Sequence, residues 1–416
     1  MTIKIMKIYH LSDLHFGKSI YGTSMLDDQR FWAKQFLTCC SDDKPDAVVI
    51  AGDVYDRSAP SGDAVELLDY FLTELAEMDI PVFMIAGNHD SGQRLSFGKT
   101  MLSKQNVHIA GVVKKELDHY TFDDLDGYGP VTFWLLPYTF TEQVSNVLEN
   151  EDIHSYEQAI RRIIEVQKID PSHRNIIVSH QAVTANGEKV KTGGSETTVG
   201  GVGQIDYTAY DPFDYVALGH IHSSYSVGRD GVRYAGTPLC YHMAETKQGK
   251  KGFVEAVLGA KGEPVRVTVR PIEPLHEMRY MVGTKEEIYD SLRRDPGNNQ
   301  YVGITLTDQR TTPESSYYLR QLLSDRGSLL MEFLSDYKAF SGNATSADWE
   351  ATKTKSLEDL FADLYSEQSD GTPPSDAEYE LLKYVGELVR NQDAHQPLNR
   401  RDVDKILEKA AKIGGA

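Results

Sequence analysis

The sequence predicts an α/β fold built on two packed sheets. Up to about residue 270, apolar runs of strand length alternate with amphipathic helical segments, which is typical of α/β proteins. Several of these runs are nearly continuous in Val, Ile, Leu and Phe, as expected for strands that helices cover on both faces of a sheet. Toward the end of this region, strand-like runs follow one another without helices. These later runs indicate a second, more antiparallel sheet packed on the first.

The predicted elements follow the chain in order. The early strands are Ile5–Leu11, Ala47–Ala51, Val82–Ala86, Thr132–Pro137, Asn175–Ser179 and Tyr215–Leu218, each a short apolar run. The helices between them are Asp27–Cys40, Asp63–Met78 and Tyr156–Val166. The later strands, which we assign to the second sheet, are Arg233–Ala235, Gly252–Leu258 and Val265–Ile272.

The rest of the chain predicts a small domain and a helical tail. The small domain, Leu275–Phe340, contains the strand Tyr301–Thr307, the helix Pro313–Asp325 with Pro in its first turn, and the strand Leu329–Leu334. Two helices then carry apolar stripes, Leu357–Gln368 and Asp376–Arg390. These stripes suit either a core or a partner-docking face. We therefore expect three domains, at 1–274, 275–340 and 341–416.

The composition is that of a globular protein. A chain of 416 residues with 40% hydrophobic and 25% charged residues suits two or three soluble domains. No uninterrupted apolar stretch approaches the ~18 residues of a membrane span, and the N-terminus lacks a signal-peptide layout. Three cysteines without metal-ligand spacing favour a reducing compartment, so we expect a cytoplasmic protein.

The formal net charge of −19, taken alone, argues against a nucleic-acid partner. Much of the excess acid lies late in the chain, within residues 358–380. Six bases that could line a DNA groove lie among the motifs described next: Lys18, Arg57, Arg94, Lys99, Lys189 and Lys191. Bound divalent ions would add positive charge at the same place, so the net charge does not exclude DNA.

Five short polar motifs each follow an apolar run. They are Asp13-Leu14-His15, Gly52-Asp53, Gly87-Asn88-His89-Asp90, Ser179-His180-Gln181 and Gly219-His220-Ile221-His222. In open α/β sheets the ligand crevice lies beyond the carboxyl ends of the strands, so this placement brings distant residues to one rim. Taken singly, Asp-x-His or Gly-Asp is typical of a turn or a helix cap. All five together favour one shared site.

The motifs supply carboxylate, amide and imidazole groups and no thiolate. This set suits Mn²⁺, Fe²⁺ or Zn²⁺ sites for hydrolysis better than a structural zinc site. Asp53 can bridge two cations, and a pair of cations stabilises both oxygens of an in-line displacement at phosphorus. His89 follows the ligand Asn88 and is free to act as a general acid toward a leaving alkoxide. The sequence therefore predicts a two-metal hydrolytic site.

The motif set resembles that of the calcineurin-like metallophosphoesterase superfamily. Within it, the segments Ser12–Gly17 and Ala51–Asp56 resemble the opening motifs of the SbcD family of bacterial nuclease subunits. The resemblance implies a two-sheet α/β/β/α sandwich with a small α+β cap domain and a C-terminal helical tail. Archaeal and eukaryotic relatives often carry histidine where this chain has Asp56, whereas the bacterial branch commonly has Asp there.

Carried over residue by residue, the resemblance implies two metal sites and one catalytic histidine. One ion would be held by Asp13, His15, Asp53 and His222, and the other by Asp53, Asn88, His180 and His220. His89 matches the catalytic histidine, and the implied cofactor is a pair of Mn²⁺ ions. The implied partners are DNA, a second copy of the chain contacting helices near 61–77 and 92–105, and an SbcC-like coiled-coil ATPase bound by the C-terminal helices.

The function that the resemblance implies is DNA end processing in repair, recombination and replication. The enzyme would be a Mn²⁺-dependent double-strand exonuclease and single-strand endonuclease, located in the cytoplasm with the nucleoid. Two alternatives stay open from the residues alone. One is a small-molecule or nucleotide phosphoesterase on the same scaffold, and the other is a non-catalytic, metal-containing scaffold at DNA ends.

Overall fold

The structure is a computed structural model that describes residues 5–123, 127–149, 151–188, 203–295, 297–337 and 373–391, together with 362, 365–366, 405–406 and 409–410. The chain divides into two units, Met1–Tyr337 and Lys338–Ala416. Most of the predicted helix Leu357–Gln368 lies outside the described residues, as do Lys189 and Lys191.

The first sheet has six strands and a parallel centre. In spatial order its strands are β16 (Arg266–Pro271), β15 (Gly252–Leu258), β1 (Met6–Leu11), β4 (Ala47–Ala51), β5 (Val82–Ile85) and β6 (Val107–Ala110). Strands β1, β4, β5 and β6 run parallel, and β15 and β16 extend the sheet antiparallel beyond β1. All of β4 is buried, as expected for a central strand covered on both faces.

The second sheet repeats this plan. Its strands are, in spatial order, β13 (Tyr225–Val227), β14 (Arg229–Tyr234), β12 (Tyr215–Gly219), β9 (Arg174–His180), β8 (Val131–Leu136) and β7 (Asp118–Phe122). Strands β14, β12, β9 and β8 run parallel, with β13 and β7 antiparallel at the two edges. The described residues of this region also form two short strand pairs, β2 (Ser19–Ile20) with β3 (Thr23–Ser24) and β10 (Val183–Thr184) with β11 (Ile205–Asp206).

The predicted second sheet is present, and its strand β14 contains the first two residues of the predicted strand Arg233–Ala235, but it is no more antiparallel than the first sheet and the other two strands predicted for it are wrong. Strands β15 and β16 extend the first sheet, whereas β8, β9 and β12 form the centre of the second. An apolar run reports how deeply a strand is buried and not which strand it pairs with. Both sheets are buried between layers, so the same runs fit either one.

The described residues of both units contain helices. They are α1 (Leu26–Asp43), α2 (Gly62–Glu77), α3 (Gly92–Leu95), α4 (Lys99–Leu102), α5 (Thr141–Val147), α6 (Tyr156–Glu165), α7 (Lys285–Arg294), α8 (Pro313–Ser324) and α9 (Asp376–Asn391), with 3₁₀ turns at Ser103–Gln105, Tyr207–Tyr210 and Met243–Lys247. The helix expected near 92–105 is therefore two single turns and a 3₁₀ turn. The chain breaks it at Gly98, whose φ is 73°.

Three hydrophobic clusters define the layers. Between the sheets, Phe83 of β5 stacks on Phe133 of β8 with ring centroids 4.1 Å apart. Helices α1 and α2 pack on the outer face of the first sheet through side chains such as Trp32 and Phe71. Helix α6 does the same on the second sheet, where Ile160 is fully buried. The layers form the predicted α/β/β/α sandwich.

Residues 277–335 form a third, parallel sheet with two helices, and we call them the α+β segment. Its strands, in order, are β17 (Glu277–Gly283), β18 (Gln300–Leu306) and β19 (Leu329–Ser335). Helices α7 and α8 pack on this sheet around their own apolar cluster. The sequence predicted β18, α8 and β19 but missed β17, which lies at the sheet edge and is only partly buried.

Asp28, in the first turn of α1, attaches the α+β segment to the sandwich. Its side chain is 1% exposed and accepts hydrogen bonds from the His276 backbone amide at 3.1 Å, the His276 ring at 3.0 Å and the Tyr301 hydroxyl at 2.8 Å. The substitution Asp28→Ala leaves these donors without an acceptor. We expect a loss of about 3 kcal/mol, measured as a melting temperature several degrees lower for the full chain.

The matched control is Tyr301→Phe, which removes one hydroxyl donor and keeps the carboxylate. It should cost about 1 kcal/mol. If Asp28→Ala melts at the wild-type temperature, the attachment does not depend on this carboxylate.

The second unit is described mainly through α9, which agrees with the predicted helix Asp376–Arg390. Ser375 caps the N-terminus of this helix. Its hydroxyl accepts a hydrogen bond from the Glu378 amide at 3.4 Å, and the Glu378 carboxylate accepts one from the Ser375 amide at 2.7 Å. Across the described parts of the chain, no helix has both the length and the apolar character of a membrane span.

Candidate metal centre

The predicted site residues lie at strand ends of both sheets. They are Asp13 and His15 after β1, Asp53 after β4, Asn88 and His89 after β5, His180 at the last position of β9, and His220 and His222 after β12. The His180 ring donates from Nδ1 to the Ala51 carbonyl at 2.7 Å, so a hydrogen bond joins the rims of the two sheets. The five motifs therefore meet at one edge of the sandwich.

Four of these residues hold left-handed backbone conformations. Asp13, His15, Asp53 and His220 have φ values of 52°, 46°, 48° and 94°. Non-glycine residues in this region cost about 1–3 kcal/mol each and persist only where the surroundings enforce them. The fit is also tight at Gly87, where an added Cβ would lie 2.1 Å from Asp53 Oδ1. Glycine at position 87 therefore lets the β5 loop approach Asp53.

One group of ligand atoms comes from Asp13, His15 and His222. These atoms lie within 4.8 Å of one another, and all three residues are buried. His15 Nε2 and His222 Nε2 face each other at 3.3 Å, and Asp53 Oδ2 lies 3.8 Å from His15 Nε2. The first predicted ligand set is thus assembled in space, and its role in metal binding stays a prediction.

A second group comes from Asp53, Asn88, His180 and His220. Asn88 Oδ1 lies 3.1 Å from His180 Nε2 and 3.0 Å from His220 Nδ1. Asp53 Oδ2 lies 3.5 Å from His180 Nε2. Asp53 therefore faces both groups, which is the position that a bridging ligand needs.

The hydrogen bonds at the rim show that these groups fit cations. A neutral imidazole that donates from Nδ1 has a lone pair on Nε2. His180 donates from Nδ1 to the Ala51 carbonyl, and His222 donates from Nδ1 to the Glu245 carboxylate at 2.9 Å. In the neutral rings, the Nε2 lone pair of His180 faces Asn88 Oδ1 and Asp53 Oδ2, which are acceptors too, and that of His222 faces His15 Nε2. Buried acceptors that face one another are satisfied by a shared cation.

Burial and the neighbouring charges give the carboxylates and imidazoles unusual pKa values. Burial raises the pKa of Asp13. Burial also opposes ionisation of Asp53, but the charges of His180 and His15 outweigh it and hold the pKa of Asp53 below its usual range. Burial lowers the pKa of His180, but the charge of Asp53 outweighs it and raises that pKa to about 9. The pair of acids thus attracts positive charge, and a metal ion would displace the proton from His180.

His89 lies at the solvent side of the site. Its backbone amide donates to Asp53 Oδ1 at 2.9 Å, and its ring Nδ1 donates to the Asp56 carbonyl at 2.9 Å. The second ring nitrogen, Nε2, is then the atom that can hold a proton for a substrate. The role of His89 as a general acid stays a prediction.

Comparisons with known proteins show the family of this chain. The model of the calcineurin-like phosphoesterase family matches residues 6–224, more than half of the chain.

The chain belongs to the calcineurin-like phosphoesterase family.

Among curated proteins it is similar to the SbcD subunit of the nuclease SbcCD from Staphylococcus epidermidis, with 31% identity over 320 residues that cover 76% of this chain and 83% of the relative. The predicted resemblance to the SbcD family is therefore confirmed. Two solved structures are similar over 64% of this chain. One is a dimetal phosphatase from Danio rerio, which is 13% identical in sequence, has a TM-score of 0.37 and is covered over 98% of its own chain. The other is a protein from Thermus thermophilus, which is 10% identical in sequence, has a TM-score of 0.35 and is covered over 99% of its own chain.

As a family member, the chain is a hydrolase of phosphoesters whose clustered ligands suit divalent metals. Of the bases predicted to contact DNA, Lys18 and Arg57 border the site. Lys18 Nζ lies 2.6 Å from Asp56 Oδ1, and Arg57 Nε lies 3.7 Å from Asp56 Oδ2. The backbone carbonyl of Asp56 accepts the hydrogen bond from the His89 ring, so both bases and the predicted catalytic histidine share Asp56 as a partner.

The other described bases are engaged elsewhere. Arg94 donates to the Ser58 carbonyl at 2.9 Å, and Lys99 pairs with Asp118 at 3.4 Å. Of the four described bases, Lys18 and Arg57 share Asp56 as a partner, whereas Arg94 and Lys99 have other partners. Contacts between these bases and DNA stay predictions.

The sequence did not predict the residues that hold the ligand loops. Gln29 of α1 is fully buried, accepts the Gly17 amide at 2.9 Å and donates to the His15 carbonyl at 2.7 Å. Asp90 accepts the amides of Gly87 and Tyr55 at 2.9 Å each. Asp90 belongs to the motif Gly87-Asn88-His89-Asp90, so its place in the sequence could have indicated a role at the site. Gln29 lies within an ordinary helix pattern, and nothing in the sequence around it indicates such a role.

Glu245 is a buried acid that the sequence did not predict either. Its carboxylate accepts from His222 Nδ1 and lies 2.8 Å from Lys251 Nζ. Burial opposes its ionisation, but the hydrogen bond from His222 and the charge of Lys251 outweigh this and lower the pKa of Glu245 to about 2. Only the fold brings these three residues together.

Proposed function

We propose that this phosphoesterase is the nuclease subunit of an SbcCD-type complex. It hydrolyses DNA phosphodiesters in the presence of Mn²⁺, as a double-strand exonuclease and a single-strand endonuclease, in the cytoplasm. The observation that carries the proposal is the extent of the likeness to SbcD. That likeness spans 320 residues, more than the family match at 6–224 contains. Part of it therefore lies outside the phosphoesterase core, where a minimal esterase has no counterpart.

In phosphodiester hydrolysis the site residues would have two roles, metal binding and proton donation. Asp13, His15, Asp53 and His222 would hold one divalent ion, and Asp53, Asn88, His180 and His220 the other. Such ions, when bound, activate water and neutralise the charge that develops on the phosphate. His89 carries a proton on Nε2 for the departing alkoxide. The hydrogen bond from its Nδ1 to the Asp56 carbonyl fixes the direction in which that proton points.

The test is cleavage of linear duplex and single-stranded DNA by the purified chain with Mn²⁺, Mg²⁺, Zn²⁺ or EDTA. We expect cutting with Mn²⁺ and none with EDTA. A soluble phosphomonoester is assayed in parallel. Turnover of the monoester alone would favour the small-molecule phosphoesterase, and DNA binding without cutting would favour the non-catalytic scaffold.

We also propose that two copies of the chain pair through α2 and residues 92–105. A groove of about 550 Å³ lies here, lined by apolar side chains that include Val65, Leu68, Leu72, Leu95 and Ile109. Beside it, Phe97 is 87% exposed and Met101 is 74% exposed. Large apolar side chains at this exposure, next to an apolar groove, are typical of protein interfaces.

The double substitution Phe97→Glu with Met101→Glu should separate the two copies. Two buried charges without partners would weaken the dimer by about 100-fold or more. Sedimentation velocity should show two chains for the wild type and one for the variant. Tyr317→Glu is the control, since Tyr317 is a 69% exposed aromatic on α8. A wild type that sediments as one chain would end this part of the proposal.

An SbcC-like coiled-coil ATPase is the proposed partner of the tail helices. On α9, Tyr379, Leu382 and Val385 recur at helical spacing, which suits docking into a hydrophobic groove. Co-purification with such an ATPase, and a nuclease assay with and without ATP, tests this partner. Replacing Leu382 with Asp should release the ATPase and leave the intrinsic nuclease intact.

A further inference from the structure

Glu245 is a fully buried carboxylate on the 3₁₀ turn Met243–Lys247. Its Oε1 accepts a hydrogen bond from His222 Nδ1 at 2.9 Å. Its Oε2 lies 2.8 Å from Lys251 Nζ and accepts the Tyr241 amide at 3.2 Å. Both oxygens therefore have partners, and one of those partners is a predicted metal ligand.

We propose that Glu245 is a positioning residue that orients His222 for metal binding. A carboxylate that accepts from Nδ1 fixes the tautomer in which Nε2 carries the lone pair, and it makes that nitrogen a stronger ligand. The His222 Nε2 atom then points at His15 Nε2, 3.3 Å away. Without the carboxylate, the ring could rotate or place its proton on Nε2. Either change removes the lone pair from the metal site.

Lys251 completes the arrangement. Its side chain is only 10% exposed, and its ammonium group lies within 2.8 Å of both Glu245 Oε2 and the His222 carbonyl oxygen. It thus neutralises the buried carboxylate and holds the backbone of the same ligand. A buried acid costs several kcal/mol unless it is paired, so Lys251 allows Glu245 to stay ionised beside His222.

The same contacts admit a purely structural role, in which Glu245 only holds its turn by accepting the Tyr241 amide. The two roles differ in what a conservative change does. Gln at position 245 keeps an oxygen for the Tyr241 amide but loses the charge that strengthens His222. A positioning role therefore shows in metal affinity, and a structural role shows in folding.

The experiment is a Mn²⁺ titration of the metal-free full chain, followed by calorimetry. For Glu245→Gln we expect one site to weaken by about 10–100-fold and the other to keep its wild-type affinity. In a His222→Ala background, the further change Glu245→Gln should have no added effect on Mn²⁺ affinity. Unchanged affinity in the single variant, or an added loss in the double variant, would overturn the proposal.

A spectroscopic readout needs no metal. In metal-free protein labelled with ¹⁵N-histidine, His222 should show a protonated Nδ1 and an unprotonated Nε2, and Glu245→Ala should abolish that pattern. Thr246→Ala is the matched control. It removes a hydrogen bond of 2.7 Å to the Met243 carbonyl within the same turn and leaves His222 untouched. It should keep both the spectrum and the affinity, and a loss equal to that of Glu245→Ala would assign the effect to the turn.

A third variant covers the case in which Glu245→Gln does not fold. Glu245→Asp keeps the charge on a shorter side chain and should bind Mn²⁺ with intermediate affinity. This inference rests on the proposed metal site but not on the substrate. A wild type that binds Mn²⁺ without cutting DNA would refute the nuclease proposal alone, and a nuclease whose Glu245→Gln variant binds Mn²⁺ normally would refute this inference alone.

Discussion

Replacing Asp53 with Asn should remove bound metal and DNA cleavage together. Asp53 Oδ2 lies 3.8 Å from His15 Nε2 and 3.5 Å from His180 Nε2, so one carboxylate faces both ligand groups. Its other oxygen, Oδ1, accepts the His89 amide at 2.9 Å. An amide at this position keeps the shape but brings no negative charge, and it can offer only one oxygen. We therefore expect both predicted ions to be lost.

The expected loss of cleavage at fixed Mn²⁺ is on the order of 1,000-fold or more, which corresponds to about 4 kcal/mol of transition-state stabilisation. Calorimetry and metal analysis of the dialysed protein measure Mn²⁺ binding. An assay with duplex DNA as the substrate measures cleavage. Asp290→Asn is the matched control, because it makes the same chemical change at an exposed ion pair with Arg293 on α7. If the Asp53 variant retains two ions per chain, Asp53 is not the bridge.

The position of the site could be predicted from the sequence because it depends on local rules. The strand Ala47–Ala51 is the same in the prediction and in the structure, and Gly52-Asp53 follows directly. A buried parallel strand must end at the rim of its sheet, so the polar residues after it must lie on that rim. The same argument places Asn88 after β5 and His220 after β12.

Two other features depend on tertiary contacts and could not be predicted. The assignment of strands to sheets failed because β15 pairs with β1 although the two lie far apart in the chain, and nothing in either run specifies that pairing. Glu245 and Gln29 were missed for a similar reason. Each supports a ligand that is distant in sequence, and neither residue type is unusual where it stands.

Replacing His89 with Gln should stop DNA cleavage while metal binding persists. The His89 ring donates a hydrogen bond from Nδ1 to the Asp56 carbonyl. It lies edge-on to His15, with ring centroids 4.9 Å apart. A general acid raises the rate of reaction by about 100- to 10,000-fold when the leaving group is a poor one. The 3′-alkoxide or 5′-alkoxide of DNA is such a leaving group, so we expect a loss of that size in the cleavage rate with Mn²⁺ affinity unchanged.

A change of leaving group separates the acid role of His89 from other roles. A nitrophenyl phosphodiester releases a stable phenolate that needs little protonation, so the His89→Gln variant should lose far less activity on it than on DNA. The control is His154→Gln, since the His154 side chain is 74% exposed and pairs with Asp152, which is not a predicted site residue. Equal losses on both substrates would remove His89 from the acid role. A simultaneous loss of Mn²⁺ would instead make it a ligand, because its ring belongs to a third cluster with His15 and Asp53 whose ligand atoms lie within 4.8 Å of one another.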